Sequence, residues 1–425
     1  QRGFQSGITI YAPSIVLTAI LGWDMVPTVI FVGILVILYT VIGGSKAVSH
    51  TQKYQMYVIL CGLVISFFYI NSYILDQLSL SKSFDIIKTF NKNNALSLSF
   101  DPKEEYTLWS GLLGGFFLSL SYFGTDQSQV SRYINAKNKD ESRIGLMFNA
   151  ILKIPLQFFI LYIGILLFVF YSVNQPPINF NNSLIDYQSR NNPELLESVA
   201  KDSKILFEEK KQLLMNSYID RDKTLSINNE LFNTRKKLED DAIKSGFSNE
   251  RPETDFIFLH FILNYLPQGL VGLLIALILS AAMSSISAEI SALSAITTID
   301  IYKRFINKSK NDKNDVFMSK VFTLSWGVIA ILVALFFAQQ ENLIESINII
   351  ASLLYGNVLG IFLIAFFIKK IKSNNVFLGS ITSQLSVFIM YLILGKSVGY
   401  LWFNLIGTFL TCFFSISLYY FIRKK

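Results

Sequence analysis

Adjacent serines and an acid inside an apolar run are the residues of this chain best suited to chemistry. The stretch Ala281-Ala282-Met283-Ser284-Ser285-Ile286-Ser287-Ala288-Glu289 follows the apolar run 270–282 and leads on to Asp300-Ile301-Tyr302-Lys303-Arg304. Polar side chains in a bilayer-length apolar segment are costly unless they face a protein interior or a water-lined path. Helical spacing puts Ala281, Ser284, Ser285 and Ala288 on one face. Small residues there admit a second backbone, and hydroxyl oxygens beside carbonyls are hard ligands that suit a small alkali cation. The competing reading is that small-x-x-small serines only fasten two helices together. A second stretch, Asn149-Ala150-Ile151-Leu152-Lys153-Ile154-Pro155, sets Lys153 about three turns into a span that begins near Arg143. A buried lysine there donates to a hydroxyl or carboxylate, or pairs with an acid.

The elements that must hold these residues are apolar. The chain has 425 residues, 52% hydrophobic and 14% aromatic, which excludes a soluble domain of this length. Apolar segments fall at 7–21, 26–42, 54–75, 108–123, 144–173, 266–299, 317–338, 347–368, 376–394 and 401–422. Hydropathy thus predicts about ten spans and an all-α polytopic membrane protein. The net charge of +7 does not mark a nucleic-acid binder, because the basic residues are spread over alternate short loops with no aromatic-interleaved patch. Lys46, Lys53, Arg132, Lys137, Arg143, Lys303, Arg304, Lys369 and Lys370 fall on one side, while the opposite short loops carry only Lys396. The positive-inside rule places the basic loops, and the C-terminus with Arg423, Lys424 and Lys425, in the cytoplasm. Cys61 and Cys412 lie in separate apolar runs and suggest no disulfide framework, and the isolated His50 and His260 suggest no metal ligand. The start at Gln1, without an initiator Met or a basic leader, reads as an N-terminally incomplete chain.

Two long hydrophilic segments, 76–107 and 174–255, fall outside the cytoplasm by alternation of the spans. In the second, Leu206, Leu213, Leu214, Leu231 and Leu238 recur at helical spacing and predict amphipathic helices in a hairpin that caps the outer face. Residues 256–265, ending before Pro267, predict a short helix over the outer mouth. Glycines and prolines inside the spans, including Pro13, Gly111, Gly114, Gly115, Gly124 and Pro155, predict broken helices.

Several motifs stand in order between these spans. They are Tyr11-Ala12-Pro13, the turn Gly43-Gly44-Ser45-Lys46-Ala47-Val48 with Thr51, Asp126-Gln127 with Arg132-Tyr133, Leu152-Lys153, Pro267-x-Gly269-Leu270, and 281–304. With them the chain resembles the sodium:solute symporter family, the sodium/glucose-cotransporter-like carriers of sugars, sialic acid, proline, vitamins and monocarboxylates. The resemblance covers nearly everything except the insertion at 174–253.

That resemblance implies a five-plus-five inverted-repeat, leucine-transporter-like fold in which Gly7 falls on the third core helix. The first core helices are then missing, with one wall of the substrate site and the backbone half of the main sodium site. It divides the chain into the rest of the first repeat (1–75), an outer loop (76–107), the start of the second repeat (108–173), the hydrophilic insertion (174–255), the rest of the second repeat with the sodium-site helix (256–370), and two accessory helices (371–425). Sodium is implied at the Ala281 carbonyl and the Ser284 and Ser285 hydroxyls. A second sodium site of some family members uses an acid where this chain has Gln52, and a hydroxyl where it has Ala288, so one sodium site is expected and the exit route past Gln52 is altered. Glu289, one turn beyond Ser285, either restores an acid to that route or is a neutral or lysine-paired acid at the membrane edge. Asp126 and Arg132 either form a gating ion pair or solvate a helix end. For the solute, the resemblance implies Ser119, Tyr122, Phe123, Lys153 and Asn348, with Tyr122 as an inner gate. The implied function is sodium-coupled symport of a small polar organic solute across the cytoplasmic membrane by alternating access. It involves no enzyme chemistry, and sodium serves as coupling ion with no other cofactor. A solute sensor on the same fold and a proton-coupled carrier using Glu289 are the rivals.

Overall fold

The computed structural model describes residues 2–92, 97–134, 138–247, 253–306, 312–337, 343–395 and 397–423. In chain order the helices are α1 (Arg2–Leu21), α2 (Met25–Leu75), α3 (Leu80–Thr89), α4 (Gly115–Thr125), α5 (Gln127–Ile134), α6 (Lys139–Val173), α7 (Asn182–Asn191), α8 (Pro193–Met215), α9 (Arg221–Lys244), α10 (Thr254–Tyr265), α11 (Gln268–Ile296), α12 (Asp312–Phe337), α13 (Leu343–Phe367), α14 (Ser373–Leu394) and α15 (Trp402–Arg423). Among the described residues, eight segments are long and apolar enough to cross a membrane, by length and composition. The expected ten included α1 and the region of α4, which are not among the eight. A wide-wound π turn over Ser110–Gly114 precedes the 11-residue α4, so no single regular helix of bilayer length forms there.

Backbone hydrogen bonding in a bilayer forces helices, and their small residues decide how closely they pack. α1 lies inside the bundle against α2, α11, α12 and α13. Ile10, Val29, Ile70, Phe170, Phe261, Ile286 and Ala330 belong to one buried core. α13, α14 and α15 form a second group, and α4 packs on α13 and α15.

The Gly43-Gly44 pair is read above as a tight turn, whereas the backbone is helical throughout α2. The two halves of α2 nevertheless run in opposite directions. Gly33 sits against Ile331 and Ile37 against Gly327, while Gln55 meets Ser280 and Gly62 meets Leu274. Each half is thus antiparallel to its own partner, and those partners, α11 and α12, pack together with Lys303 meeting Asp315 beyond the end of one and at the start of the next, so they run in opposite directions. The chain reverses between hydropathy-defined spans Met25–Gly43 and Tyr54–Leu75 as abutting helices rather than through a loop.

Outside the spans, the stretch 182–244 is mostly helical, as α7, α8 and α9, with α8 paired to α9. Side-chain caps start its helices: Asn192 accepts from the Leu195 N–H and Asp220 from the Lys223 N–H. Leu184, Val199, Leu238 and Ala242 give this unit a small core of its own. Arg235 fastens it by donating to the Pro177 and Ile178 carbonyls and to Glu253, and Lys82 reaches the Asn216 carbonyl.

Lys210 is the costly residue of the cap. It is 6% exposed, its ammonium lies 5.3 Å from the Phe207 ring, and no carboxylate pairs with it among the described residues. Burial first, and then the charge of Arg235, bring its titration from the ordinary 10.5 down to about 8. The unfolded chain therefore binds more protons than the folded one between those values, so stability rises with pH across that window and the cost is full below it. Lys210→Met is expected to stabilise the cap by up to about 3 kcal/mol at pH 7, with the advantage fading from pH 8 to 10.5. Hydrogen exchange of the α8 and α9 amides at pH 7 and pH 10 reads both effects.

Candidate functional site

The corner between α4 and α5 is made by Asp126, whose extended backbone interrupts the helix. Its Oδ1 accepts from the Ser128 N–H and hydroxyl, each at 2.9 Å, which caps α5. Its Oδ2 accepts from the Tyr355 hydroxyl at 2.5 Å and from Arg2. The other arm of the Arg2 fork holds Glu289 Oε1 at 2.8 Å. A cluster of alternating charge thereby joins α1, the α4–α5 corner, α11 and α13. Arg2 and Glu289 side chains are 15% and 14% exposed and that of Asp126 only 2%, so each charge needs its partner.

Beside this cluster lies a cavity of about 580 Å3 whose lining includes Tyr122, Phe123, Asn149, Lys153, Ser285 and Glu289. α4 supplies the aromatic pair, with ring centroids 5.0 Å apart and edge to face. The Lys153 ammonium from α6 stands 5.8 Å from the Tyr122 ring centre and 5.6 Å from that of Phe123. The Arg2 guanidinium is also 5.8 Å from Tyr122, so that ring is approached by two cations. Tyr122 in turn contacts Tyr355 at 6.3 Å, which links the cavity wall to the charge cluster.

The serine motif divides between two faces of α11. Ser285 Oγ donates to the Ala281 carbonyl at 3.1 Å and opens to the cavity one turn before Glu289. Ser280, Ser284 and Ser287 follow helical spacing along a different face, where Gln55 of α2 donates to Ser280 Oγ at 2.5 Å. Ser284 and Ser287 are buried there, and neither hydroxyl oxygen has a partner among the described residues. A buried hydroxyl left unpaired costs about 1–3 kcal/mol, so this seam favours an additional ligand or donor.

The other residues singled out from sequence do not gather here. Ser119 is exposed on α4, one turn before Tyr122, and does not line the cavity. Asn348 lies in the second turn of α13 and hydrogen-bonds to Tyr400, about 10 Å along the helix from Tyr355. Lys153 lies within its span but is exposed to the cavity and bundle surface rather than buried. The side chains of Gln52 and Arg132 lie outside the described residues. Asp126 pairs with Arg2, and Glu289 has an arginine, not a lysine, as its partner. Sequence reasoning passed over Arg2 and Tyr355. The available signals were a guanidinium near the start of an apolar helix and a tyrosine in an otherwise apolar one.

Comparison with known proteins places the chain. The model of the sodium:solute symporter family matches residues 5–194 and 245–383. This chain belongs to the sodium:solute symporter family, and it is a multi-pass membrane protein of that family. The sodium/sialic acid symporter NanT of Aliivibrio fischeri is 23% identical over 94% of this chain and 65% of its own length. Sodium-coupled monocarboxylate transporter 1 of Mus musculus is 23% identical over 93% of this chain and 52% of its own length. The human sodium/iodide cotransporter is 28% identical over 40% of this chain and 26% of its own. This chain thus spans no more than 65% of the length of these relatives. A solved Na+-coupled sialic acid symporter in a substrate-bound outward-open state superposes with a TM-score of 0.67 at 21% identity, over 98% of this chain and 71% of that one, a likeness of fold.

Proposed function

We propose that this chain forms the greater part of a sodium-coupled symporter for a small polar organic solute, working by alternating access in the cytoplasmic membrane with its C-terminus inside. The observation that carries the reading is the single cavity in which Tyr122 and Phe123 of α4, Lys153 of α6, and Ser285 and Glu289 of α11 meet. Such a chamber, mostly apolar with a few fixed polar groups, suits a small solute. The Lys153 ammonium, which has no carboxylate bonded to it among the described residues, favours a solute that carries a carboxylate or acidic hydroxyls. The names of relatives agree with that chemistry, since they include sialic acid and monocarboxylates.

In this reading sodium binds at the Ala281 carbonyl with the Ser284 and Ser285 hydroxyls. Two features support it: the buried, unpartnered Ser284 oxygen, and Ser285 one turn from the cavity's acid. The fold is taken as a five-plus-five inverted repeat, with 1–75 closing the first repeat, 108–173 and 256–370 forming the second, and 371–425 accessory. Asp126 and Glu289, joined through Arg2, hold α1, α4–α5 and α11 in one state, and their release accompanies solute and ion exit. Sodium drives the cycle only to the extent that it binds one state more tightly than the other.

Uptake by the full-length protein in vesicles, across a panel of labelled carboxylates and sugars with sodium or choline outside at fixed pH, tests the reading. Sodium is expected to raise uptake of one solute class, Ser284→Ala with Ser285→Ala to remove that stimulation, and Lys153→Ala to raise half-saturation by at least about tenfold. Equal accumulation in choline would overturn sodium coupling, and normal uptake by the lysine variant would remove Lys153 from the site.

A further inference from the structure

The seam between α1 and α11 holds oxygens that the ion pairs leave unsatisfied. Thr9 Oγ1 lies 2.8 Å from the Gln5 carbonyl oxygen and 3.5 Å from Glu289 Oε2. A hydroxyl has one hydrogen, and the shorter contact takes it, so Thr9 turns lone pairs toward a carboxylate oxygen that also offers only lone pairs. Two such oxygens repel unless a positive charge lies between them. Gln5, one turn earlier, is 5% exposed and its Oε1 has no partner among the described residues. Arg2 and Thr9, its neighbours on the same face of α1, both reach Glu289, which directs Gln5 into the same seam. Charge points the same way. Within the ion-paired cluster Asp126 and Glu289 supply two negative charges and Arg2 one positive, so the bonded groups sum to one negative charge inside a span, while Lys153 lines the cavity without a salt bridge to either acid among the described residues. Glu289 also lines the cavity, so the seam has a route for a small ion.

We propose that Glu289 Oε2, Thr9 Oγ1 and Gln5 Oε1 hold one sodium ion at a site separate from Ala281, Ser284 and Ser285. A cation of this size keeps oxygens at about 2.4 Å, as Ca2+ does, and ligands at right angles around it stand roughly 3.4 Å apart. The 3.5 Å between Thr9 and Glu289 is such an edge, and it is long for a hydrogen bond. The three ligands are a carboxylate, a hydroxyl and an amide oxygen, all hard donors. One net negative charge balances a monovalent ion and leaves a divalent one in excess. Arg2 holds Oε1 of Glu289 and so aims Oε2 into the seam. Binding here requires neither a solute nor turnover, so the site stands or falls apart from the transport reading.

Equilibrium binding of 22Na+ to the purified full-length protein in detergent, with choline as balancing cation, tests it. Two classes of bound sodium are expected, one removed by Ser284→Ala with Ser285→Ala and the other by Thr9→Val or Glu289→Gln. Thr9→Val keeps the shape and deletes the oxygen, and is expected to weaken its class at least about tenfold, while Thr9→Ser stays within about twofold. Gln5→Met serves as a second deletion if Thr9→Val fails to fold, as judged by unfolding without sodium. Wild-type stoichiometry and half-saturation in the Thr9, Gln5 and Glu289 variants would overturn the proposal. So would an unchanged sodium count with loss of a titrating proton in Glu289→Gln, since a proton would then close the gap. Failed uptake with intact Thr9-dependent binding would instead overturn the transport reading alone.

Discussion

Exchange of Arg2 for methionine will cost the folded bundle about 3–5 kcal/mol, the usual penalty for leaving a buried charge without its partner. Arg2 bridges Asp126 and Glu289, whose side chains are 2% and 14% exposed, and it also meets the Tyr355 hydroxyl at 3.1 Å. Without the guanidinium two acids face each other across α1 in a poorly solvated interior. Asp126 keeps the Ser128 N–H and hydroxyl and the Tyr355 hydroxyl, whereas Glu289, which faces the lone pairs of Thr9, keeps no close donor among the described residues. The second substitution Glu289→Gln should therefore recover roughly half of the loss, because it removes the less supported charge. Arg2→Lys should fall between, since an ammonium lacks the planar fork that reaches both carboxylates. Thermal unfolding of the full-length protein in detergent ranks the four proteins. An Arg2→Met midpoint equal to wild type would mean that the cluster does not hold these helices together.

Gly356→Ala will separate α13 from α15. A methyl group there would stand 2.3 Å from the Asn404 carbonyl oxygen and 3.1 Å from its Cα, and backbone has no rotamer with which to withdraw. The helices would have to part, which also breaks the 3.0 Å bond from the Thr408 hydroxyl to the Gly356 carbonyl and disturbs Asn404, which donates to Ser352 at 2.8 Å. Overpacking of this kind costs about 3 kcal/mol. Gly114, the last residue of the π turn before α4, meets the residue just ahead of the same helix, with its missing methyl 2.6 Å from the Leu401 carbonyl oxygen, so a second backbone approach is made at the start of α15. Gly272→Ala is the control. Nothing lies within 4 Å of that position, and alanine there should be neutral or slightly stabilising. Equal yields and midpoints for the Gly356 and Gly272 variants would contradict the close approach.

The membrane class and most spans were legible in the chain because hydropathy is additive along a segment. The helices α8 and α9 were legible because leucines at helical spacing report on local geometry alone, whereas their caps, Asn192 and Asp220, emerged only from the structure. Family membership was legible from ordered motifs, and the family match bears it out. The form of the reversal in α2 was not, because Gly43-Gly44 reads as a turn where abutting helices also serve. The serine pair was only half legible. Spacing put Ser284 and Ser285 close together on α11, while the packing of α2 encloses one and the cavity receives the other.

By itself the sequence determined which segments are apolar and helical, and which side chains share a face, since both follow from rules acting over a few residues. Only the tertiary structure decided that Arg2 closes a circuit with Asp126, Glu289 and Tyr355. Those partners lie 124 to 353 residues from it in the chain. No periodicity spans such distances. The meeting is set by which helices pack against α1, and so by the fit of side-chain volumes and the need of each buried charge for an opposite one.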